Sequence, residues 1–313
     1  AGEDLASLRA RSDAGDAEAQ RTLGLRLLTG EGSAEEGAAL VEAASAAGSA
    51  EAAATLALLE AMGAARPQSW ERALAALHLA AGRGSARAAA QIDLLRRDGR
   101  LDPAAFTAAP ARETLSERPR IRVLPGFATP GECDWLIGLT RDRLAPAQVW
   151  DPVTGAGRSD PNRTNKALEL TLAEMDLVVA AIRARISAAT NIPVPVFEPP
   201  QVMHYRVGEE FRPHHDFLDP SQPGHGAELA RFGQRIATFL IYLNDDYDGG
   251  ETAFPRAGLS HRGRKGDALL FANVDAATRA PDPLTLHAGM PPTRGEKWIF
   301  SQWIRDRSPG AIR

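Results

Sequence analysis

The residues best equipped for chemistry lie together in Pro213-His214-His215-Asp216-Phe217. In an extended strand, side chains alternate between faces, so His214 and Asp216 share one face and His215 points to the other. An imidazole nitrogen beside a carboxylate oxygen on a rigid strand supplies two of the three ligands of a facial iron site. The remaining metal positions stay open for substrate and oxygen. A second histidine, brought in by the fold, is needed as the third ligand.

Seven histidines are available: His78, His204, His214, His215, His225, His261 and His287. A lone histidine is ordinarily a surface or core residue, and that holds for His78, His225 and His261. His204 falls out of phase with Tyr205 and is expected to face away from the site. His287 differs in its surroundings, Leu284-Thr285-Leu286-His287-Ala288-Gly289, with Lys297-Trp298 ten residues later. A lysine buried on a strand demands an anionic partner. A substrate carboxylate near the metal would be one.

The elements that position these residues are set by a chain of 313 residues, more than one typical domain, with an ordinary hydrophobic fraction of 44%. A net charge of −4 gives no electrostatic reason to expect nucleic acid as a partner. Cys133 is the sole cysteine, so no disulfide can form within the chain. No apolar run approaches the ~20 residues of a membrane span. The first residues lack the basic-then-apolar profile of a signal peptide. They also lack a methionine, which leaves a removed leader open. A cytoplasmic location is the expectation.

Residues 1–100 are rich in Ala and Leu without strand-like alternation, which predicts helices. Gly15-Asp16-Ala17-Glu18-Ala19, Gly48-Ser49-Ala50-Glu51-Ala52 and Gly84-Ser85-Ala86-Arg87-Ala88 recur at spacings of 33 and 36 residues. Glycine would end one helix, and Asp or Ser would cap the next. Periods of this length mark stacked helix-turn-helix repeats. Leu23-Gly24, Gly30-Glu31-Gly32 and the Ala43-Ala44…Ala46-Ala47-Gly48 run resemble the Sel-one-like subset of tetratricopeptide-type repeats. The plainer alternative is an Ala-rich bundle whose repetition reflects composition. Such arrays generally bind partners, so recruitment of a substrate or its carrier is expected of this region. Residues 101–118, with Pro103 and Pro110, read as a linker.

The region 119–313 opens with a strand at 121–127 and a helix capped by Thr129. The polar segment 149–165 is long for a structureless connection and is expected to be a mobile lid or disordered. A second amphipathic helix is predicted over 172–188. From Val196 onward, short β-prone runs at 201–207, 233–243, 267–271, 284–288 and 297–304 predict an all-β sandwich or barrel.

A collinear series of motifs runs through this region. It comprises Arg163-Thr164-Asn165, Gln201-Val202-Met203-His204-Tyr205, Phe211-Arg212-Pro213-His214-His215-Asp216-Phe217, Gly249-Gly250-Glu251-Thr252, Leu286-His287-Ala288-Gly289, Gly295-Glu296-Lys297-Trp298 and Trp303-Ile304-Arg305. The series resembles the prolyl 4-hydroxylase group of iron(II)- and 2-oxoglutarate-dependent dioxygenases. The resemblance implies a double-stranded β-helix (jelly-roll, cupin-like) with flanking helices, behind an N-terminal α-helical repeat array. It implies His214, Asp216 and His287 as iron ligands. It also implies that Lys297 pairs with the distal carboxylate of 2-oxoglutarate, helped by the hydroxyls of Tyr205 and Thr252. Arg163, Arg235, Trp303 and Arg305 would contact a peptide substrate.

O2 and, as reductant, ascorbate complete the implied cofactor set. The implied reaction is hydroxylation of an aliphatic carbon of a prolyl or similar residue in a peptide or protein. Hydroxylation of a free amino acid or small metabolite is the alternative, and a non-catalytic interaction protein a more remote one. Two departures bear on specificity. Phe211 stands where the group often has Tyr, and Asn165-Lys166 follow Arg163-Thr164 where the group usually has Ser.

Overall fold

Alanine and leucine, the strongest helix formers, build α1 (Leu5–Asp13), α2 (Ala17–Arg26), α3 (Ala34–Ala46), α4 (Ala50–Met62), α5 (Trp70–Gly82) and α6 (Ala86–Leu95) in the computed structural model, which describes residues 3–151, 156–222, 224–275 and 277–308. Each of these helices packs on the next. The three repeated openings behave as the sequence predicts. Gly15, Gly48 and Gly84 take φ of +86°, +106° and +91°, a region that suits glycine. The residues after them, Asp16, Ser49 and Ser85, accept hydrogen bonds from the first-turn amides of α2, α4 and α6. Where α2 crosses α3, a Cβ on Gly24 would lie 2.6 Å from the Gly37 carbonyl oxygen.

The stretch 101–118 is structured rather than a free linker. Asp102 caps α7 (Pro103–Thr107), whose Phe106 is fully buried and meets Trp70 edge-on at 5.3 Å. A capping box of Thr129 and Glu132 starts α8 (Pro130–Thr140). Helix α9 (Leu177–Thr190) departs from its expected amphipathic character. Residues on every side of it, among them Leu177, Val178, Val179, Ile182 and Ile186, are buried. Its segment Thr171–Ala188 belongs to the same compact unit as Ala1–Ala108. Gln91 of α6 accepts from the Leu177 amide, and Arg185 donates to the Phe106 carbonyl. The helix therefore groups with the N-terminal helices rather than with the 119–313 region in which the sequence places it. The last helix, α10 (His225–Phe232), follows the His-x-Asp segment.

The second unit, Ala109–Leu170 with Ala189–Pro309, is built on strands. In chain order these are β1 (Glu113–Ser116), β2 (Ile121–Leu124), β3 (Ala145–Pro146), β4 (Gln148–Asp151), β5 (Ala156–Ser159), β6 (Lys166–Glu169), β7 (Gln201–Tyr205) and β8 (Phe211–His214). They continue as β9 (Arg235–Tyr242), β10 (Asp248–Gly249), β11 (Thr252–Phe254), β12 (Leu259–His261), β13 (Ala268–Ala272), β14 (His287–Gly289), β15 (Pro292–Arg294) and β16 (Lys297–Arg305). The larger sheet runs β1-β2-β13-β9-β16-β7-β6-β3 and the smaller β12-β11-β14-β8, with antiparallel pairing throughout both. Sequence neighbours such as β8 and β9 lie in different sheets, as the jelly-roll reading requires. Met203, Leu240, Tyr242 and Ile299 of the large sheet meet Phe254 of the small one in a buried core. Of the segment expected to be a lid, 152–155 lie outside the described residues, and β4 pairs with β5 on either side of them.

Candidate metal centre and active site

Strand pairing brings the metal ligands together. His287, the first residue of β14, stands directly opposite His214, the last of β8. Asp216 follows two residues on, and ligand atoms of all three side chains lie within 4.8 Å of one another. The His214 and His287 Nε2 atoms sit 3.6 and 3.4 Å from the Asp216 oxygens. Each Nδ1 faces a backbone carbonyl, Arg212 at 2.8 Å and Thr285 at 3.0 Å. A carbonyl only accepts, so the proton belongs on Nδ1 and each Nε2 lone pair is left free for a metal.

The carboxylate is equally prepared. Thr238 of β9 donates to Asp216 Oδ2 at 2.6 Å and is itself held by Asn273 Nδ2 at 3.0 Å. Burial opposes the Asp216 charge, but His287, His214 and the Thr238 hydroxyl hold its carboxyl well below the usual carboxylate range. Burial pushes the His287 imidazole down to about 4, so it is neutral and ligand-competent near neutral pH. Two imidazole Nε2 atoms and one ionised carboxylate form the donor set that an octahedral iron(II) with open positions takes.

The same cleft holds Lys297, 2% exposed, whose Nζ lies 5.2 Å from the centre of the Tyr205 ring. Tyr205 is its direct partner across the β7–β16 pairing. Desolvation brings the Lys297 ammonium down to about 7, with Glu251 acting through space in the opposite direction. A buried ammonium without a carboxylate against it is a receptor for an anion. Burial also raises the Tyr205 phenol to about 12, which keeps its proton available for donation. Thr252 faces the cleft from β11, and its oxygen accepts from the Tyr242 hydroxyl at 2.9 Å. That bond turns the Thr252 proton outward as a further donor.

Comparison with known proteins bears directly on this site. The model of the 2OG-Fe(II) oxygenase superfamily matches residues 200–305, which span all the ligands. Prolyl 4-hydroxylase 1 of Arabidopsis thaliana is 36% identical over 210 residues, covering 63% of this chain and 72% of that protein. Prolyl 4-hydroxylase 5 of the same plant is 39% identical over 214 residues, 61% of this chain and 70% of that protein. The chain belongs to the prolyl 4-hydroxylase family of 2OG-Fe(II) oxygenases. Among solved structures, the viral collagen prolyl hydroxylase of Paramecium bursaria Chlorella virus-1 aligns with a TM-score of 0.45 at 28% identity, over 59% of this chain and 94% of that one. Family membership brings iron(II), 2-oxoglutarate and O2 with it, and the donor set and the anion receptor described above fit them.

Not every residue expected of a prolyl 4-hydroxylase reaches the cleft. Trp303 lines it, with the Arg235 guanidinium 3.9 Å from the centre of its ring. Arg235 is in turn gripped by both Glu198 oxygens, at 2.6 and 2.9 Å. Lys297, Ile299, Ser301 and Trp303 keep the strand alternation into the cleft, but the register of β16 shifts between Ile304 and Arg305. Arg305 instead spends its donors on Glu198, Glu228 and the Gly233 carbonyl. Arg163 is also internal, bound to Gln148, Asn165 and Gln201. His204 faces away, as expected, toward Glu296 and Trp298. Thr238, Asn273 and Tyr242 were not anticipated. The single hydroxyl in the apolar run 236–241 is the one signal that the sequence offers for Thr238.

Proposed function

We propose that this protein hydroxylates prolyl residues of a peptide or protein, with iron(II), 2-oxoglutarate and O2. The observation that carries the reading is the shared cleft of His214, Asp216 and His287 with Lys297, whose ammonium has no ion pair among the described residues. His214 and His287 would bind the metal through Nε2, and Asp216 through a carboxylate oxygen. Lys297 would take the distal carboxylate of 2-oxoglutarate, with the Tyr205 and Thr252 hydroxyls on its remaining lone pairs.

With these groups bound, oxidative decarboxylation of 2-oxoglutarate supplies the oxidant that hydroxylates a carbon–hydrogen bond. The chain's own part is to orient and to exclude water: Met203, Leu240 and Ile299 wall the cleft with apolar surface. Trp303, stiffened from behind by Arg235, offers the flat face on which a pyrrolidine ring would rest. The prolyl assignment itself draws on the two plant relatives, both named as prolyl 4-hydroxylases. Ascorbate as reductant, docking of the substrate or its carrier on Sel-one-like helical repeats, and a cytoplasmic location complete the proposal. The buried free thiol of Cys133 is consistent with that location.

The test is incubation of proline-rich peptides with the protein, iron(II), 2-oxoglutarate and ascorbate, read by mass spectrometry. A gain of one oxygen on proline is expected, matched by succinate, and both disappear in His214→Ala. Succinate release that survives His214→Ala and Lys297→Ala would overturn the site assignment.

A further inference from the structure

We infer that Arg163 is a positioning residue for the metal ligand His214, acting through the ring of Phe211, and makes no contact with the substrate. The inference rests on the metal-binding role of His214 proposed above. His214 is the less secure of the two histidine ligands. Its side chain is 21% exposed, whereas His287 is 7% exposed and packs against Phe254 and Phe271. The hydrogen bond from Nδ1 to the Arg212 carbonyl fixes one direction of the His214 ring but leaves its plane free to tilt. Phe211 removes that freedom. It stacks on the imidazole with ring centres 3.5 Å apart and planes 14° apart.

Phe211 is half-buried at the start of β8 and needs a backing of its own, which Arg163 supplies. The guanidinium carbon lies 4.8 Å from the Phe211 ring centre, and the two residues form a backbone bridge. The guanidinium cannot drift, because it donates to the Gln148 carbonyl at 3.0 Å, to Gln201 Oε1 at 3.1 Å and to Asn165 Oδ1 at 3.3 Å. A further contact, to Met203 Sδ at 3.6 Å, engages a fourth N–H. With four of its five N–H donors committed and 6% of its surface exposed, Arg163 is held inside the fold rather than turned toward a peptide. Its fork instead ties β4 and β7 to the ring that sets the plane of His214. The same geometry gives Phe211 a stacking task that needs no hydroxyl, and a Tyr ring would stack there as Phe does.

The test is titration of the metal-free full-length protein with Co(II), followed by its visible absorption, in parallel with the peptide KM at saturating metal. Arg163→Lys keeps the charge without the fork, Arg163→Met keeps the bulk, and Phe211→Leu breaks the stack without disturbing the buried guanidinium. Each is expected to weaken Co(II) binding by about 10–100-fold, the usual penalty for losing a support of a metal ligand. The peptide KM should stay at its wild-type value in the two Arg163 variants, and Phe211→Tyr should bind Co(II) as the wild type does. A raised peptide KM with unchanged Co(II) binding in the Arg163 variants would make Arg163 a substrate contact and overturn the inference. Unchanged Co(II) binding in Phe211→Leu would overturn it equally. A wild-type chain that binds no Co(II) would refute the metal site itself, and this inference with it.

Discussion

Lys297 shows how one buried charge can report on co-substrate binding. Its ordinary value of 10.5 applies in the unfolded chain, whereas in the folded protein desolvation brings it to about 7. Between those two values the unfolded state holds a proton that the folded state has released. The contribution of this group to stability therefore increases as pH rises through that window, and below about 7 the folded protein carries the full cost of a buried ammonium. A bound 2-oxoglutarate carboxylate favours the charged form, so binding at pH 8 should draw about one proton from solution, and at pH 6 almost none. Anaerobic calorimetric titration in two buffers of different ionisation enthalpy measures that uptake. Lys297→Arg, which stays charged, should abolish it. Equal heats in both buffers at pH 8 for the wild type would mean that Lys297 is already protonated and that its isolation is overstated.

The elements differ in how far their roles were legible in advance. Strand alternation placed His214 and Asp216 on one face, and the alternation Lys297, Ile299, Ser301, Trp303 holds along β16. It fails at Arg305 because a register shift is a backbone event with no residue-type signature. Helix α9 departs from expectation for a different reason: a run of apolar residues marks burial without saying which neighbours cover it. Among the N-terminal helices, by contrast, small residues do mark close approach. A Cβ on Gly24 would meet the Gly37 carbonyl at 2.6 Å and Val41 Cγ2 at 2.8 Å, and backbone cannot yield as a side-chain tip can. In an isolated helix Gly→Ala stabilises by about 1 kcal/mol. Here Gly24→Ala should instead destabilise by about 1–3 kcal/mol through overpacking, measured by thermal or urea unfolding. A rise in stability would show that α2 and α3 can separate at no cost.

At the scale of the molecule, the helical and β units are interleaved in sequence, and that decides how recruitment can be tested. Chain order suggests cutting away residues 1–108 and assaying what remains. Helix α9 argues against this, because its supports lie in the part removed. Asp176 caps the helix and pairs with Arg87 at 2.9 Å, Gln91 takes the Leu177 amide, and the Phe106 carbonyl takes the Arg185 guanidinium. Leu177, Val178, Val179, Ile182 and Ile186 are all at most 1% exposed. Uncovering such side chains costs about 1.5–3 kcal/mol each, and several together rival the ~5–15 kcal/mol that holds a domain folded. Residues 109–313 alone should therefore aggregate or melt well below the full chain, and lost activity would then say nothing about docking. Substitutions on exposed helical positions keep the fold intact: Leu79→Glu, at a site 44% exposed on α5, should leave the melting temperature and basal succinate release unchanged. If such variants raise the KM for a protein substrate but not for a short peptide, the repeats recruit. A soluble 109–313 fragment with wild-type succinate release would refute the structural premise, since α9 would then need no cover from the N-terminal helices.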